Sequence, residues 1–434
     1  MTLPHERTLP NGAVSPHPSL APREDFPFFA HRPGQIYLDA AATSQPPAAV
    51  IDAQRDFTVN AYAAVHRGSS AATGSATAAF EAARSRVARF VGAAENEIVW
   101  TENATDALNL LAWSLTDAAV EGAGADGSTA LVLRPGDEIV VTEAEHHANL
   151  VPWQRLAART GAVLRAVPVV DDGTWTIDAL RAVVSPRTRL IAFAHVSNVT
   201  GFVAPVPDVV AVAREIGALT VLDACQSAPH RPIDLHELGV DFAAFSAHKM
   251  QGPTGIGVLY GRAELLDALP PGRTGGSSIT SVTLERTEFL PAPHRFEPGT
   301  QPVVQAVGFA AAIDYLDGIG MRAIHRHEDA LAAELYDTVA AVPGVRVLGP
   351  AAGAERAALA SFVVDGVHAH DVGQFLDDRG ITVRTGHHCA QPLHRRLGVY
   401  ATTRASASLT TDSADIAALG QALAEVRAYF GADR

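Results

Sequence analysis

Short runs of apolar residues alternate with longer stretches of helical periodicity from Gln35 onward. The first of these predict a strand at 36–39, a helix at 76–91, a strand at 97–100 and a helix at 107–115. Such alternation is typical of proteins in which helices cover the faces of a sheet. The pattern therefore predicts an α/β layer architecture.

A second group of apolar runs continues the pattern through the middle of the chain. These predicted strands lie at 138–142, 163–167, 190–194, 220–223, 242–246 and 257–260. The runs are nearly continuous and do not alternate with polar residues. We therefore expect a mainly parallel sheet that is buried on both faces.

Two helical stretches, at 303–316 and 325–339, mark the change to a smaller C-terminal α+β domain. We predict a large domain over residues 34–300 and a small domain over 301–434. A chain of 434 residues is also long enough that two packed domains are the default expectation. Residues 1–33 hold many prolines and no apolar periodicity, which indicates a flexible N-terminal arm.

Charge and hydropathy argue against two classes of protein. The formal net charge is -14 and no basic block is present, whereas nucleic-acid-binding proteins contact phosphates through clustered Lys and Arg. No stretch approaches the roughly 18–20 uninterrupted apolar residues of a membrane-spanning helix. We expect a cytoplasmic protein that binds neither nucleic acids nor membranes.

The sequence holds two cysteines, Cys225 and Cys389. They are too few for a disulfide framework or a cysteine-rich metal site, and we expect no metal.

The 33 basic residues include a single lysine, Lys249. Arginine replaces lysine readily at surface sites, but a guanidinium stays protonated and cannot form an imine. A lysine that remains alone is a candidate for Schiff-base chemistry, and a chance surface position is the alternative.

Polar residues follow two neighbouring predicted strands. Asp223 ends the run at 220–223, and Lys249 follows the run at 242–246. Ligands of open α/β sheets bind beyond the carboxyl ends of the strands. An acid that keeps a pyridinium nitrogen protonated and an amine that binds an aldehyde are the groups that pyridoxal 5'-phosphate (PLP) requires.

Residues 101–106 follow a strand and open a helix, where a hydroxyl and backbone N–H groups can hold a phosphate.

Further motifs accompany this pair. They are Ala64-Val65-His66-Arg67-Gly68, Glu145-His146-His147-Ala148-Asn149, His195-Val196-Ser197-Asn198, Asp223-Ala224-Cys225-Gln226, Ser246-Ala247-His248-Lys249 and Arg384-Thr385-Gly386-His387-His388-Cys389-Ala390. Together they resemble the class V aminotransferase family of PLP enzymes, and within it the SufS-type (group II) cysteine desulfurases. The likeness runs from about Asp25 to the C-terminus.

This resemblance implies the fold-type I PLP-dependent transferase fold, with a mainly parallel seven-stranded sheet between helices. It also implies cofactor contacts: His146 would stack on the pyridine ring and take part in catalysis, Gln226 would hydrogen-bond the phenolic oxygen, and Asn198 would line the pocket. The phosphate would be held by Thr105, Ser246 and His248, and by Thr300 from the other subunit of a homodimer.

The two cysteines differ in their surroundings. A thiol acts as a nucleophile in its thiolate form, which positive or polar neighbours favour. Cys389 lies in a small, polar stretch near Arg384, whereas Cys225 follows a buried strand among alanines, where an inert packed thiol is usual. We therefore predict Cys389 as the catalytic cysteine. The resemblance agrees, and it implies that Arg404 binds the substrate carboxylate with its planar fork, with Arg384 and Asn198 as further substrate contacts.

The resemblance implies conversion of L-cysteine to L-alanine with a persulfide left on Cys389. The sulfur would serve iron–sulfur cluster assembly through a SufU- or SufE-like acceptor and the SufBCD scaffold. A selenocysteine lyase, a non-catalytic scaffold in sulfur-cluster assembly and a general aminotransferase are the alternatives. The sequence departs from the usual pattern at positions that carry no required chemical group: Ser70, Ala247, Ser278 and Thr410-Thr411.

Overall fold

A computed structural model describes residues 16–66 and 68–432. The strands of this part of the chain are β1 Ile36–Tyr37, β2 Ile98–Thr101, β3 Glu138–Thr142, β4 Val163–Val167, β5 Thr188–Ala194, β6 Leu219–Asp223, β7 Phe242–Ser246, β8 Gly257–Gly261, β9 Ile279–Val282, β10 Thr287–Phe289, β11 Val345–Leu348, β12 Leu359–Val364, β13 Ile381–Thr382, β14 Arg384–Gly386 and β15 Thr402–Ser406. The α-helices are α1 Pro27–His31, α2 Ala48–Asn60, α3 Ala71–Phe90, α4 Ala104–Glu121, α5 Val151–Thr160, α6 Ile177–Val183, α7 Val206–Ile216, α8 Leu235–Leu238, α9 Ala263–Ala268, α10 Val303–Ile319, α11 Met321–Ala340, α12 Ala369–Asp377, α13 Gln391–Arg396 and α14 Ser413–Tyr429.

The large domain is built on a seven-stranded sheet of order β2-β8-β7-β6-β5-β3-β4. The strands from β4 to β7 are mutually parallel, and β8 is antiparallel to both β7 and β2. This confirms the predicted α/β fold with a mainly parallel seven-stranded sheet. The predicted bounds of β3, β4 and β7 agree with the structure, and the other predicted central strands lie within the observed ones.

Strand β4 corrects one expectation, because it lies at the edge of the sheet and is not buried on both faces. Val163 is 40% exposed, and most of the strand reaches solvent. The run carries a charged residue in its middle, Arg165, whose guanidinium lies 3.2 Å from the carboxylate of Glu138 on β3. A charge on an edge strand is a common protection against pairing with another chain.

Each face of the seven-stranded sheet carries its own apolar core. Successive residues of a strand point to opposite faces, so Val140 packs with Phe245 on one face while Ile139 and Val141 pack on the other. Helices α2, α3, α7 and α10 cover the first face, and α4 and α5 cover the second. The sheet is therefore a rigid layer, and its strand ends are fixed positions for functional side chains.

The small domain contains the antiparallel sheet β11-β12-β15-β14, packed against α11, α12 and α14. Its boundary differs from the predicted change at residue 301. Phe309 and Ile313 of α10 belong to a core of the large domain, whereas Leu331 of α11 belongs to the core of the small domain. The change therefore falls within α11, whose Met321 and Ile324 still belong to the large-domain core. Leu38 also packs in the small domain, because β1 pairs in parallel with β13.

The described part of the predicted arm, residues 16–33, is packed against the rest of the protein. Ala21 and Phe26 are fully buried, and the ring of Phe26 meets Tyr315 edge to face at 5.7 Å. Arg23 forms an ion pair with Asp415 of α14. Aromatic and charged anchors thus order a proline-rich segment without regular periodicity, so a flexible arm is the wrong description of these residues. Residues 1–15 of the same prediction lie outside the described residues.

Over residues 16–66 and 68–432, no single helix has both the length and the apolar composition needed to cross a membrane. The adjoining helices Val303–Ile319 and Met321–Ala340 are long and apolar enough when they are taken together, but the pair is bent by 74°.

Candidate active site

A cavity of about 650 Å³ opens between the two domains at the carboxyl ends of β5, β6 and β7. This is the edge at which α/β sheets bind ligands. Its lining includes these predicted site residues: Thr105, His146, Asn198, Asp223, Gln226, Ser246, His248, Lys249, Arg384, Cys389 and Arg404. Thr300, by contrast, is exposed and lies outside the cavity lining of its own chain.

Asp223 and Lys249 meet because β6 and β7 are parallel neighbours. Asp223 is the last residue of β6, and Lys249 ends a short 3-10 helix, Ala247–Lys249, that directly follows β7. The carboxylate of Asp223 is buried, and its Oδ1 accepts a hydrogen bond from the backbone N–H of Cys225 at 3.0 Å. The cavity therefore combines a primary amine with a carboxylate that is fixed in place.

The start of α4 forms another wall of the cavity. Asn103 caps this helix by accepting a hydrogen bond from the N–H of Asp106 at 3.0 Å, and the N–H of Ala104 donates to Oγ of Ser246 at 2.8 Å. Gly257 of β8 permits the close approach, because a Cβ there would lie 2.6 Å from Cα of Asn103. The N-terminus of this 18-residue helix carries the positive end of the helix dipole, which favours a phosphate.

Burial keeps the cavity histidines neutral. It lowers the pKa of His146 and that of His248 to about 4 each. Nδ1 of His146 accepts a hydrogen bond from the N–H of Ala148 at 3.0 Å, so the neutral ring carries its proton on Nε2. An uncharged, oriented imidazole is suited to packing on a flat ring.

The side-chain amide of Gln226 is also fixed in orientation. Its Nε2 donates to the carbonyl of Ala41 at 2.7 Å and keeps a second N–H for a ligand.

Cys389 lies in the loop between β14 and α13 and is exposed. Both His388, with a φ of 48°, and Cys389, with a φ of 55°, adopt the left-handed conformation that disfavours non-glycine residues. Such residues cost on the order of 1–3 kcal/mol each and persist where the surroundings hold them. Here Nδ2 of Asn198 donates to the carbonyl of His388 at 2.7 Å, and Nε2 of His388 lies 2.8 Å from Oγ1 of Thr402.

Cys225 occupies a closed part of the cavity wall. Burial raises the pKa of its thiol, and the neighbouring Asp223 carboxylate adds to the effect. A thiol that stays protonated is a poor nucleophile. The contrast with the exposed Cys389 supports the predicted division of roles between the two cysteines.

Two arginines converge on one carboxylate that sequence reasoning missed. Nη2 of Arg384 lies 2.8 Å from Oδ2 of Asp39, and Nη2 of Arg404 lies 3.5 Å from Oδ1 of the same residue. Arg404 is buried, and its Nη1 donates to the carbonyl of Asn198 at 2.9 Å. Asp39 follows β1, which pairs with β13 and not with the seven-stranded sheet, so the sequence offers no signal for this contact.

The departures from the family pattern lie outside the cavity lining. Ser70 caps α3 by accepting a hydrogen bond from the N–H of Thr73 at 3.2 Å. Ser278 is buried and donates to the carbonyl of Gly275 at 3.0 Å. Ala247, Thr410 and Thr411 are buried and do not contribute to the cavity wall either. These substitutions therefore leave the composition of the cavity unchanged.

Glu145 is a buried acid directly before His146. Its Oε1 accepts from Oγ1 of Thr142 at 2.5 Å and its Oε2 from Nδ2 of Asn149 at 2.6 Å. The Oδ1 of Asn149 in turn accepts from Nε1 of Trp153 at 3.0 Å. This chain of hydrogen bonds fixes the segment that carries His146. Burial raises the pKa of Glu145 to about 8.

The raised pKa predicts a fall in stability with pH. An unfolded glutamate with a pKa of 4.5 releases its proton before the folded one with a pKa of about 8, so the unfolded state binds fewer protons between these values and the free energy of unfolding falls as pH rises. A Glu145→Gln variant cannot titrate there. We expect its melting temperature to rise relative to wild type between about pH 5 and about pH 8. Parallel pH dependence of the two proteins, followed by circular dichroism, would contradict this.

The residues of the cavity fit PLP. The sole lysine supplies the amine for the aldehyde, Asp223 supplies a buried carboxylate for the pyridine nitrogen, and the start of α4 supplies the positive end of a helix dipole for the phosphate. Ser246, whose oxygen accepts from the N–H of Ala104, lines the same end of the cavity. The absence of a side chain at Gly257 lets β8 approach the start of α4 closely at the phosphate end of the cavity.

Comparison with known proteins agrees with this fold and site. The family model for class-V aminotransferases matches residues 36–419, and the chain belongs to this family of fold-type I PLP enzymes. Among curated relatives, a probable cysteine desulfurase 2 of Mycobacterium leprae is 53% identical over 93% of this chain and 96% of its own length.

Two solved structures are similar throughout. An apo cysteine desulfurase from Thermococcus onnurineus NA1 has a TM-score of 0.86 and 36% identity, covering 93% of this chain and 96% of its own. A C-DES variant with glycine covalently linked to its PLP cofactor has a TM-score of 0.78 and 26% identity, covering 93% of this chain and 99% of its own.

Proposed function

We propose that this chain is a PLP-dependent cysteine desulfurase that converts L-cysteine to L-alanine and keeps the sulfur as a persulfide on Cys389. The observation that carries the proposal is the joint presence of Lys249, Cys389 and Arg404 in one cavity. An amine, an exposed thiol and a carboxylate-binding guanidinium are the groups that sulfur removal from an amino acid requires. The M. leprae and T. onnurineus proteins carry the same activity in their names.

Arg404 and Arg384 hold the substrate carboxylate in this proposal. Burial lowers the pKa of Arg404 to about 10, which still leaves it protonated at neutral pH. Its Nε–H has no acceptor in residues 16–66 and 68–432, so this N–H is among the donors open to a ligand. A planar guanidinium binds a carboxylate through two parallel hydrogen bonds. The substrate is thereby oriented with its side chain towards Cys389.

The residues that the cavity brings together would hold the cofactor. Lys249 and Asp223 would bind its aldehyde and pyridine nitrogen, His146 would pack on the ring, and Gln226 would donate to the phenolic oxygen. Its phosphate would be bound by Thr105, Ser246 and His248 and by Thr300 of a second subunit in a homodimer. When bound, PLP stabilises the negative charge that develops at Cα of the amino acid.

Two residues carry the bond changes. The amine of Lys249 removes the proton from Cα of L-cysteine and returns a proton during alanine formation. The Cys389 thiolate attacks the substrate sulfur, an S–S bond forms, and the Cβ–S bond breaks with its electron pair going to carbon. The carbon is then protonated. The thiol and L-cysteine are thus converted to L-alanine and a persulfide, with atoms and electrons in balance.

The destination of the sulfur belongs to the same proposal. A persulfide on an exposed loop is accessible to an acceptor protein. The SufS-like motifs support a SufU- or SufE-like acceptor, the SufBCD scaffold and a role in cytoplasmic iron–sulfur cluster assembly. Each acceptor, added separately, should accelerate alanine release if it removes the sulfur from Cys389.

The proposed function is tested by incubating the PLP-loaded protein with L-cysteine and a thiol reductant. Equal amounts of alanine and sulfide are expected. 3-Mercaptopyruvate formed by transfer of the amino group would instead support an aminotransferase, and a protein without bound PLP would support a scaffold. Selenocysteine is the comparison substrate: full alanine release from it by Cys389→Ala, with none from cysteine, would show a second lyase activity.

Arg404→Lys is expected to raise the KM for L-cysteine by about tenfold or more, with a smaller effect on kcat. Lysine keeps the positive charge but loses the fork that binds a carboxylate through two hydrogen bonds. Steady-state kinetics of alanine release measure both constants. Arg384→Lys is the matched control, because half of that side chain is exposed, and its effect should be weaker. An unchanged KM for Arg404→Lys would contradict the assigned carboxylate contact.

A further inference from the structure

His147 is the second histidine of the Glu145-to-Asn149 segment and has no part in the function proposed above. It begins a short 3-10 helix of the large domain, His147–Asn149. Its backbone N–H donates to the carbonyl of Cys389 at 2.6 Å, and its side-chain Nε2 accepts from the backbone N–H of Gln391 at 3.1 Å. One residue therefore contacts two backbone groups of the cysteine loop, both directly C-terminal to the Cα that bears Sγ.

The protonation of the ring suits this contact. A nitrogen that accepts a hydrogen bond must be unprotonated, so the proton of neutral His147 is on Nδ1. Burial lowers the pKa of His147, and His387 adds to the effect, which keeps the acceptor available at neutral pH.

The loop needs such support, because His388 and Cys389 are consecutive non-glycine residues with positive φ. The adjacent contact of Asn198 fixes the carbonyl of His388 at 2.7 Å. The two contacts of His147 then fix the carbonyl of Cys389 and the start of α13 at Gln391. Together they determine where the backbone of Cys389 places its thiol relative to the cavity.

We propose that His147 is a positioning residue for the nucleophile, and that its hydrogen bond to Gln391 holds the Cys389 loop in the conformation needed for attack on the substrate sulfur. This inference rests on the proposed desulfurase function. Displacement of a reacting group by about 1 Å can reduce a rate about 10²-fold. The effect should appear in kcat, because binding of the amino acid carboxylate and amine depends on other residues.

The side-chain bond is tested with His147→Ala and His147→Gln in the PLP-loaded protein. Alanine removes the acceptor, and glutamine replaces Nε2 with an oxygen at a similar distance from the backbone. We expect His147→Ala to lower kcat for alanine release about tenfold or more with KM changed less than about twofold, and His147→Gln to restore most of kcat. His370→Ala, an exposed histidine of the small domain outside the cavity, is the control and should match wild type.

Hydrogen–deuterium exchange of the peptide around Gln391 gives a readout that does not depend on catalysis. The donated N–H should exchange faster in His147→Ala and regain protection in His147→Gln, because exchange reports local opening of the hydrogen bond. Gln391→Pro removes the same N–H at the first position of α13, where proline is tolerated. If this bond carries the effect, the double variant His147→Ala/Gln391→Pro should be no slower than the slower single variant.

Equal kcat values for wild type and His147→Ala would overturn the inference, as would additive losses in the double variant. Loss of bound PLP in His147→Ala that His147→Gln does not repair would also overturn it, because the role would then be structural. These outcomes are distinct from failure of the proposed function, in which wild type itself releases no alanine.

Discussion

Lys249→Ala is expected to abolish alanine formation from L-cysteine, with a fall in kcat of at least about 10³-fold, because the variant has no amine to bind the PLP aldehyde or to move the Cα proton. The absorbance of bound PLP should change as well. Lys249→Arg is the matched control for charge: it keeps a cation at this position but cannot form an imine, so it should be as inactive as the alanine variant.

The single lysine makes this prediction unusually direct. Borohydride reduction of the loaded wild type should attach PLP permanently to one tryptic peptide, the one that contains Lys249. Reduction of either variant should attach none. Attachment at the N-terminal amine, or alanine release by Lys249→Arg at more than about one hundredth of the wild-type rate, would contradict the assigned role.

Cys389→Ser is expected to lower desulfuration by at least about 10²-fold while binding of PLP and of L-cysteine stays close to wild type. A serine hydroxyl is not ionised at neutral pH and does not accept sulfur. Rapid mixing with L-cysteine, followed by absorbance and by alanine analysis, separates binding from sulfur transfer.

Cys225→Ala is the matched control for the second thiol. It should keep most of the activity, because burial raises the pKa of the Cys225 thiol and holds it in its unreactive form. Activity that follows Cys225 and not Cys389 would reverse the assignment of the nucleophile.

The sheet and most of the cavity could be predicted from the sequence for physical reasons. A strand buried on both faces is nearly all apolar, which marks β3 and β7, and a polar residue at its carboxyl end lies at the ligand edge. Asp223 ends the apolar strand β6, and Lys249 lies three residues after the end of β7. The single lysine added a chemical reason independent of the fold, because arginine cannot replace it in imine formation.

The remainder depends on contacts between distant parts of the chain. Asp39 became a site residue through its ion pairs with Arg384 and Arg404, which are remote in sequence. The left-handed backbone of Cys389 depends on tertiary contacts and has no signal in residue type. The domain boundary was misplaced because α10 is apolar enough to pack within the large domain, so its helical pattern did not reveal the domain to which it belongs.

The protonation of the histidines near the cavity could not be predicted from the sequence either. The sequence indicates several of them near the cavity, but their protonation depends on burial and on the hydrogen bonds that each nitrogen makes. Nδ1 of His146 accepts a hydrogen bond, whereas in the adjacent His147 the accepting nitrogen is Nε2. Neighbouring imidazoles can therefore serve the cofactor and the nucleophile separately.

Sulfur transfer to Cys389 is tested by a single turnover without reductant, with limiting L-cysteine and peptide mass spectrometry of the protein. We expect one alanine to be released for each sulfur atom gained, and the added sulfur to lie on the peptide that contains Cys389. Alanine release without added sulfur on Cys389, or sulfur found on Cys225, would contradict it.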